Sequence, residues 1–374
     1  MDGLNGFTRK ELMTVIWEKP TLAQLELTRN CNQQCCFCFQ GSCSTKEYED
    51  MSFESWKVVI DKLKILGVRK INFSGGEVLL HKEFEKIMKY TYEQGFSIYL
   101  NTNGQVDISS IVSFCSKIYI SLHGTKEIHN KIVNNKDSFD KIIECIKVVN
   151  KYKIPLEINM TLIKSNFYNI VELYTYLTTN YEIEKFSPTI AIQTNTGSCI
   201  PENEKLVINE QLYKEYFEMI NVIDADKLDL KQGMHGFYYN QLEKYCDTTI
   251  CDTTNCIGGK TKLVINYKGD VYPCNFYQID EFWCGNLLVD DVKDVWKNGK
   301  GFIIFRNMVF NNTIPQKCND CVKYYKCFSG CRAWTKEFLN GFEKNNGKDG
   351  FVNSVDIRCE FTHAFIGNRN YNNV

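Results

Sequence analysis

A chain of 374 residues with 44% hydrophobic side chains has room for about two domains and a sizeable core. Its 44 basic and 45 acidic residues nearly cancel, and no basic run tracks a phosphate backbone, so nucleic acid and anionic membranes are excluded as first expectations. The charged N-terminus has no signal-peptide core and no apolar run reaches the roughly 18 residues of a spanning helix, which predicts a cytoplasmic protein with no membrane partner.

In chain order, Leu22–Thr28 forms a short extended run. Ser52–Leu66 follows as an amphipathic helix, with Phe53, Trp56, Val59, Ile60, Leu63 and Leu66 on one face, Ser52 as N-cap and Gly67 as terminator. Further strands are predicted at Lys70–Phe73, Phe96–Leu100, Lys117–Leu122, Leu156–Leu162 and Phe186–Ile192. Helices fall between them at Lys82–Gln94, Asp107–Cys115, Phe139–Tyr152 and Asn166–Thr179. Six β/α units in succession predict an α/β fold, a partial (β/α)6 barrel that resembles an open TIM barrel. Glu210–Ile223 adds one more helix, after which turn residues become dense and cysteines arrive in quick succession. These shifts divide the chain into an N-terminal extension (1–20), a barrel core (21–200), a connecting helical segment (201–245) and a cysteine-rich C-terminal domain (246–374).

Eighteen cysteines are too few for a small disulfide scaffold of this length and too many for an ordinary reduced enzyme. Without an export signal, metal or cluster binding is the expected use. Cys31, Cys35 and Cys38 form C-x3-C-x2-C directly after the first strand. Three thiolates on one loop can hold three irons of a [4Fe–4S] cube and leave the fourth open to a non-protein ligand. A zinc loop or three unrelated thiols are the competing readings, and structural zinc prefers four protein ligands.

This triplet, with Phe37 before its last cysteine, resembles the cluster motif of the radical S-adenosylmethionine (SAM) enzymes. The resemblance implies that the open iron binds SAM, and that an electron from the cluster cleaves SAM to a 5′-deoxyadenosyl radical that takes hydrogen from a substrate. Ser74-Gly75-Gly76-Glu77, Asn101-Thr102-Asn103-Gly104 and Ser121-Leu122-His123-Gly124 each close a predicted strand, on the face where barrels build active sites. In the family, Gly75, Gly76 and Glu77 would receive the methionine amino group, and Asn101, Asn103 and Ser121 would hold the ribose. Related enzymes often carry Asp where His123 stands and a carboxylate-binding Arg where Val133 stands, with Lys131 or a later residue the expected substitute. His123 is expected to be a structural histidine.

Downstream, Cys256, Gly269 and Cys274, then Cys318, Cys321, Cys327 and Cys331 in C-x2-C-x5-C-x3-C, and finally Cys359, resemble the SPASM domain of peptide and protein maturases. The resemblance implies two auxiliary [4Fe–4S] clusters, one on Cys251, Cys256, Cys274 and Cys331 and one on Cys318, Cys321, Cys327 and Cys359. Cys246 competes with Cys251 for its place. Two zinc sites are the alternative for such thiolate tetrads. The seven unassigned cysteines, Cys36, Cys43, Cys115, Cys145, Cys199, Cys246 and Cys284, are expected to be small, buried or partly buried hydrophobes, with the roles of Cys36 and Cys43 left open by their place near the first cluster motif.

Cys274-Asn275-Phe276-Tyr277 and Cys284-Gly285-Asn286-Leu287 resemble the anaerobic sulfatase-maturating enzymes, in which an Asp beside the cluster cysteine serves as base. Here Asn275 stands in that place, and an amide cannot take the proton. The expectation is therefore a radical SAM/SPASM maturase that oxidises or crosslinks a residue of a peptide or protein, with three [4Fe–4S] clusters and SAM as cofactors. Formylglycine generation on a sulfatase is the alternative. A non-enzymatic iron–sulfur or zinc-binding protein is the alternative of another class. A flavodoxin or ferredoxin donor and a monomeric state are expected. About 20 residues precede the first strand, too few for a winged-helix leader-peptide domain.

Overall fold

The structure is a computed structural model that describes residues 19–41, 47–192, 200–207, 209–224, 226–229, 256–310, 331 and 333. The strands are β1 (Leu22–Glu26), β2 (Lys70–Ser74), β3 (Ser97–Thr102), β4 (Lys117–Ser121), β5 (Leu156–Leu162) and β6 (Lys185–Ile190), with β7 (Lys262–Ile265) and β8 (Val271–Tyr272) from the C-terminal half. They form one sheet in the order β6-β5-β4-β3-β2-β1-β7-β8. Every pair is parallel except the β7–β8 hairpin. The helices are α1 (Phe53–Leu66), α2 (Phe84–Glu93), α3 (Lys126–Ile132), α4 (Ser138–Lys151), α5 (Ile170–Asn180), α6 (Glu210–Ile220), α7 (Val292–Asn298) and α8 (Lys300–Phe310). Among the described residues no helix is long and apolar enough to cross a membrane.

Strand alternation gives the sheet two unlike faces. Ala23, Leu25, Ile71, Phe73, Ile98, Leu100, Ile118, Ile120, Ile158, Met160 and Phe186 are fully buried in one core with the helices. The positions that alternate with them carry polar atoms: Gln24, Asn72, Tyr99, Asn101, Lys117, Tyr119, Glu157, Asn159 and Ser187. The sheet therefore keeps one side for packing and one for polar contacts, the division a barrel needs if its interior is to receive a ligand.

Helix α1 forms as its sequence predicts. Ser52 caps it by accepting from the Ser55 N–H, and Gly67 ends it at φ 89°, a left-handed turn that costs glycine nothing. Trp56, Val59, Ile60, Leu63 and Leu66 are its buried face. Burying each such side chain stabilises by about 1.5–3 kcal/mol. The predicted helix over Asp107–Cys115 is a correction: only a single 3-10 turn forms there, at Val112–Phe114. Asp107 Oδ1 accepts from the Ser109 N–H (3.0 Å) and the Ser109 hydroxyl (2.6 Å), so the segment begins in a local turn. Helix α3, behind Thr125, and helices α7 and α8 are additions to the sequence reading.

The C-terminal half is joined to the barrel through the sheet itself. β7 pairs with β1 in register from Leu22↔Lys262 to Leu25↔Ile265. Gly269, at φ 84°, closes the β7–β8 turn, where Asn266 Oδ1 accepts from the Lys268 and Asp270 N–H groups. From α1, Lys62 Nζ reaches across to donate to the carbonyls of Leu287 (2.7 Å) and Asp290 (2.8 Å).

Candidate active site at the ends of strands one to four

The stem of the C-x3-C-x2-C loop is clasped before any cofactor is considered. Arg29 Nη2 donates to the Gln40 carbonyl at 2.9 Å, and the Asn30 side chain both donates to and accepts from the Tyr48 backbone at 3.0 Å. Between these clasps, the Cys38 N–H donates to the Cys35 carbonyl and the Gly41 N–H to that of Cys38, two successive tight turns. Cys31, Cys35 and Cys38 are all half-buried.

The second loop packs onto that stem. Gly76 N–H donates to the Thr28 carbonyl and Glu77 N–H to the Asn30 carbonyl, both at 2.8 Å. A Cβ on Gly75 or Gly76 would overlap the carbonyl oxygens of Thr28 and Asn30, so both glycines are needed for backbone to meet backbone. The Cβ side of the glycine pair is thus filled by the backbone of the cysteine loop.

The third loop closes the ring. The Glu77 carboxylate is fully buried and accepts from the Leu79 N–H (3.2 Å), the Thr102 hydroxyl (3.0 Å) and the Asn103 N–H (2.6 Å). Burial pushes its carboxyl up to about 7, against the pull of those donors. Asn103 then turns back to the first loop, its Nδ2 donating to Asn32 Oδ1 at 2.7 Å and lying 3.7 Å from Cys31 Sγ. Asn101 spends its amide on Asn72 and on the Phe73 carbonyl. Ser121 ends β4, half-buried, in register with Asn159.

The fourth loop supplies an imidazole pair. Phe37 meets His123 edge-on with ring centroids 4.8 Å apart, and His123 stacks on His129 at 5.6 Å. His123 Nδ1 accepts from the Thr161 N–H, and His129 Nδ1 from the His123 N–H. Burial holds His123 well below the usual histidine range and His129 at about 4, so both rings are neutral at pH 7. His123 is buried beside Phe37, its Nδ1 taken by the Thr161 N–H. Val133, at the position where the family resemblance leads one to expect an Arg, is fully buried with Ile132, Ile163 and Ile200 in a small apolar cluster that packs against Cys35, Cys36 and Phe37. Lys131, the expected substitute, is exposed on α3.

The donor set fits an iron–sulfur cluster. Three thiols share one pinned loop, and a side-chain N–H already lies beside one sulfur. Burial pushes the Cys31 thiol up to about 11, so iron must displace a proton to bind it.

Of the cysteines expected to hold the auxiliary clusters, Cys256, Cys274 and Cys331 are described, each half-buried against the main core. Cys274 is pushed up to about 12, first by burial and then by neighbouring Cys256. Cys251, Cys318, Cys321, Cys327 and Cys359 lie outside the described residues, as do Cys43, Cys199 and Cys246. Cys115, Cys145 and Cys284 are buried and Cys36 is half-buried.

The two cysteine regions meet. Phe39, next to Cys38, packs edge-on against Phe276 at 5.2 Å, and Arg29 lies over the rings of Tyr48 and Tyr267. Buried Glu26 accepts from Gln278 Nε2 at 2.7 Å. Asn275 Oδ1 accepts from Lys262 Nζ at 3.4 Å. Sequence reasoning missed Gln33, Thr102 and Ser138, which bind the loops together. Gln33 is inside the motif, but Ser138 is about a hundred positions away and carries no signal of its own.

Comparison with known proteins agrees with this geometry. Residues 25–177 match the radical SAM superfamily and residues 256–322 the SPASM iron-sulfur cluster-binding domain. The AdoMet-dependent heme synthase of Methanosarcina barkeri is 24% identical over 343 residues, covering 86% of this chain and 93% of its own. The cysteine-type anaerobic sulfatase-maturating enzyme of Clostridium novyi is 28% identical over 376 residues, covering 86% and 94%. Among solved structures, Streptococcus suis SuiB bound to S-adenosylmethionine shares the fold at TM-score 0.71 and 18% identity, covering 92% of this chain and 78% of its own. Native anSMEcpe with bound AdoMet does so at TM-score 0.71 and 19% identity, covering 93% and 96%. The chain therefore carries a radical SAM domain over residues 25–177 and a SPASM iron-sulfur cluster-binding domain over residues 256–322.

Proposed function

We propose that the protein is a radical SAM/SPASM maturase that modifies a residue of a peptide or protein. The observation that carries the reading is the ring of hydrogen bonds joining the cysteine loop, Gly75-Gly76-Glu77 and Asn103, with Phe37 and His123 beside it. Cys31, Cys35 and Cys38 would hold a [4Fe–4S] cluster, which supplies one electron to bound SAM. Gly75, Gly76 and Glu77 would face its methionine end, with Asn101, Asn103 and Ser121 toward the ribose. The protein's share of the work is position and exclusion of water.

Several comparisons support a peptide substrate. SuiB has been solved bound to its precursor peptide SuiA, and anSMEcpe with AdoMet and a peptide. The Clostridium novyi relative matures a sulfatase. Asn275 disfavours that last reaction as its relatives run it, because an amide that accepts from Lys262 has no basic site to offer a thiol or hydroxyl. The auxiliary clusters, on Cys251, Cys256, Cys274 and Cys331 and on Cys318, Cys321, Cys327 and Cys359, would relay electrons rather than bind substrate. A flavodoxin or ferredoxin would supply those electrons to a monomeric protein in the cytoplasm. The core is taken as 21–200, after an extension over 1–20, with 201–245 connecting it to the auxiliary domain at 246–374.

The test is anaerobic reconstitution followed by iron analysis and a SAM-cleavage assay. Three four-iron clusters predict about 12 iron per chain, and Cys31/Cys35/Cys38→Ala should retain about 8 and form no 5′-deoxyadenosine. Stoichiometric zinc in place of iron, or SAM left intact by reduced wild-type protein, would overturn the reading.

A further inference from the structure

Ser138 opens α4 with its side chain fully buried and crowded by donors. Gln33 Nε2 lies 2.8 Å, His129 Nε2 2.9 Å and Gln105 Nε2 3.0 Å from its hydroxyl oxygen. Two of these donors are fixed. His129 Nδ1 already accepts from the His123 N–H, so Nε2 carries the ring proton and must donate. Gln105 Nε2 also faces the carbonyls of Asn103 and Ser138, each at 3.2 Å, which only an N–H can satisfy. A hydroxyl offers two lone pairs and one proton. With Gln33 donating as well, Ser138 faces three donors, and its own proton has no acceptor among the described residues.

The other end of Gln33 has the matching problem. Its Oε1 lies 3.8 Å from Cys35 Sγ. That is a sound arrangement for a thiol, which can donate, and a repulsive one for a thiolate, which can only accept. Turning the Gln33 amide over exchanges its oxygen and nitrogen and resolves both ends at once.

We propose that Gln33, with its amide turned over, is a positioning residue for the SAM-binding cluster: Oε1 accepts the Ser138 hydroxyl proton and Nε2 donates to the Cys35 thiolate, raising the cluster's reduction potential. The inference rests on the reading of Cys31, Cys35 and Cys38 as cluster ligands. It gives Cys35 the kind of contact that Asn103 Nδ2 already makes with Cys31, so Cys31 and Cys35 each take a side-chain N–H. Reduction adds negative charge to the cluster, and N–H bonds to its sulfurs stabilise that charge. The buried chain His129–Ser138–Gln33 holds the donor at its angle.

The test is a potentiometric titration of the reconstituted full-length protein followed by electron paramagnetic resonance. The SAM-binding cluster is identified as the reduced signal that changes when SAM is added. Gln33→Leu should make its reduction about tenfold less favourable, a shift of about 59 mV to more negative potential for one electron, at unchanged iron content. Gln33→Glu keeps an acceptor for Ser138 but presents only oxygen to Cys35, and should shift the potential the same way. Wild-type potentials in both variants overturn the proposal. Should Gln33→Leu fail to load iron, Ser138→Ala removes the partner that orients the amide. A negative shift there supports the proposal and an unchanged potential overturns it. Wild-type protein with no SAM-responsive signal would overturn the cluster reading and this inference with it, an outcome distinct from an unmoved potential.

Discussion

Gly76→Ala is the most direct probe of how the loops are assembled. The new Cβ would overlap the Asn30 carbonyl oxygen and sit 2.8 Å from that of Arg29, inside the 3.0 Å that real Cβ atoms essentially never breach. Both neighbours are backbone, so neither can rotate away, and the Gly75–Glu77 loop must retreat from the cysteine loop. Overpacking of this kind costs about 1–3 kcal/mol. Retreat also lengthens the bonds from Gly76 N–H to Thr28 and from Glu77 N–H to Asn30, which adds about 1 kcal/mol. We expect a total loss of about 2–4 kcal/mol in urea unfolding of the apoprotein, together with weakened SAM binding by the reconstituted protein. An unfolding midpoint and SAM affinity equal to wild type would refute the packing argument, since a Cβ cannot be placed there without movement.

Glu77 predicts a pH dependence. Its unfolded carboxyl titrates near 4.5 and its folded one near 7, so between those values the folded chain keeps a proton that the unfolded chain has released. Its stabilising contribution is therefore full below pH 4.5 and lost as pH rises through about 7, by about 3 kcal/mol in all. Unfolding of wild type against Glu77→Gln across this window should show the difference, and parallel curves would refute it. Arg306→Lys should destabilise the protein by about 2–3 kcal/mol in thermal unfolding, because Arg306 Nε donates to the Gly259 carbonyl at 2.7 Å and its guanidinium lies 4.4 Å from the Trp296 ring and 4.9 Å from that of Phe302. An unshifted melt would show that an ammonium serves equally well. Lys62→Met removes both bonds from α1 to the turn at 287–290 and should cost about 1–3 kcal/mol. Hydrogen exchange should rise in β7 and β8 and stay unchanged in β4 and β5; a uniform response would refute a local role.

Much of this fold was legible from periodicity. β5 begins and ends where the alternation of Leu156–Leu162 does, and α1 begins and ends at its own caps. Asp107–Cys115 misled because its apolar spacing suits a helix, whereas the segment is short enough to bury Ile108, Ile111 and Val112 through turns and a single 3-10 turn. The β1–β7 pairing was illegible for another reason: a parallel neighbour is chosen by tertiary packing, and nothing within Lys262–Ile265 names Leu22–Leu25 as its partner. At the site, the cysteines and loop motifs could be read because their spacing is local. The use of Gly75 and Gly76 against backbone, and of Ser138 under the cysteine loop, depends on which loops the barrel brings together.

The pairing of β1 with β7 also governs the order in which the chain can mature. Leu22 and Lys262 are partners 240 positions apart, so during synthesis the far edge of β1 stays unpaired until the segment that carries β7 has been made. Contacts of such long range form late and leave strand edges open to other chains in the meantime. The strand exposed this way feeds directly into Cys31, Cys35 and Cys38. A nascent chain thus presents the C-x3-C-x2-C loop beside an unfinished sheet edge until β7 arrives.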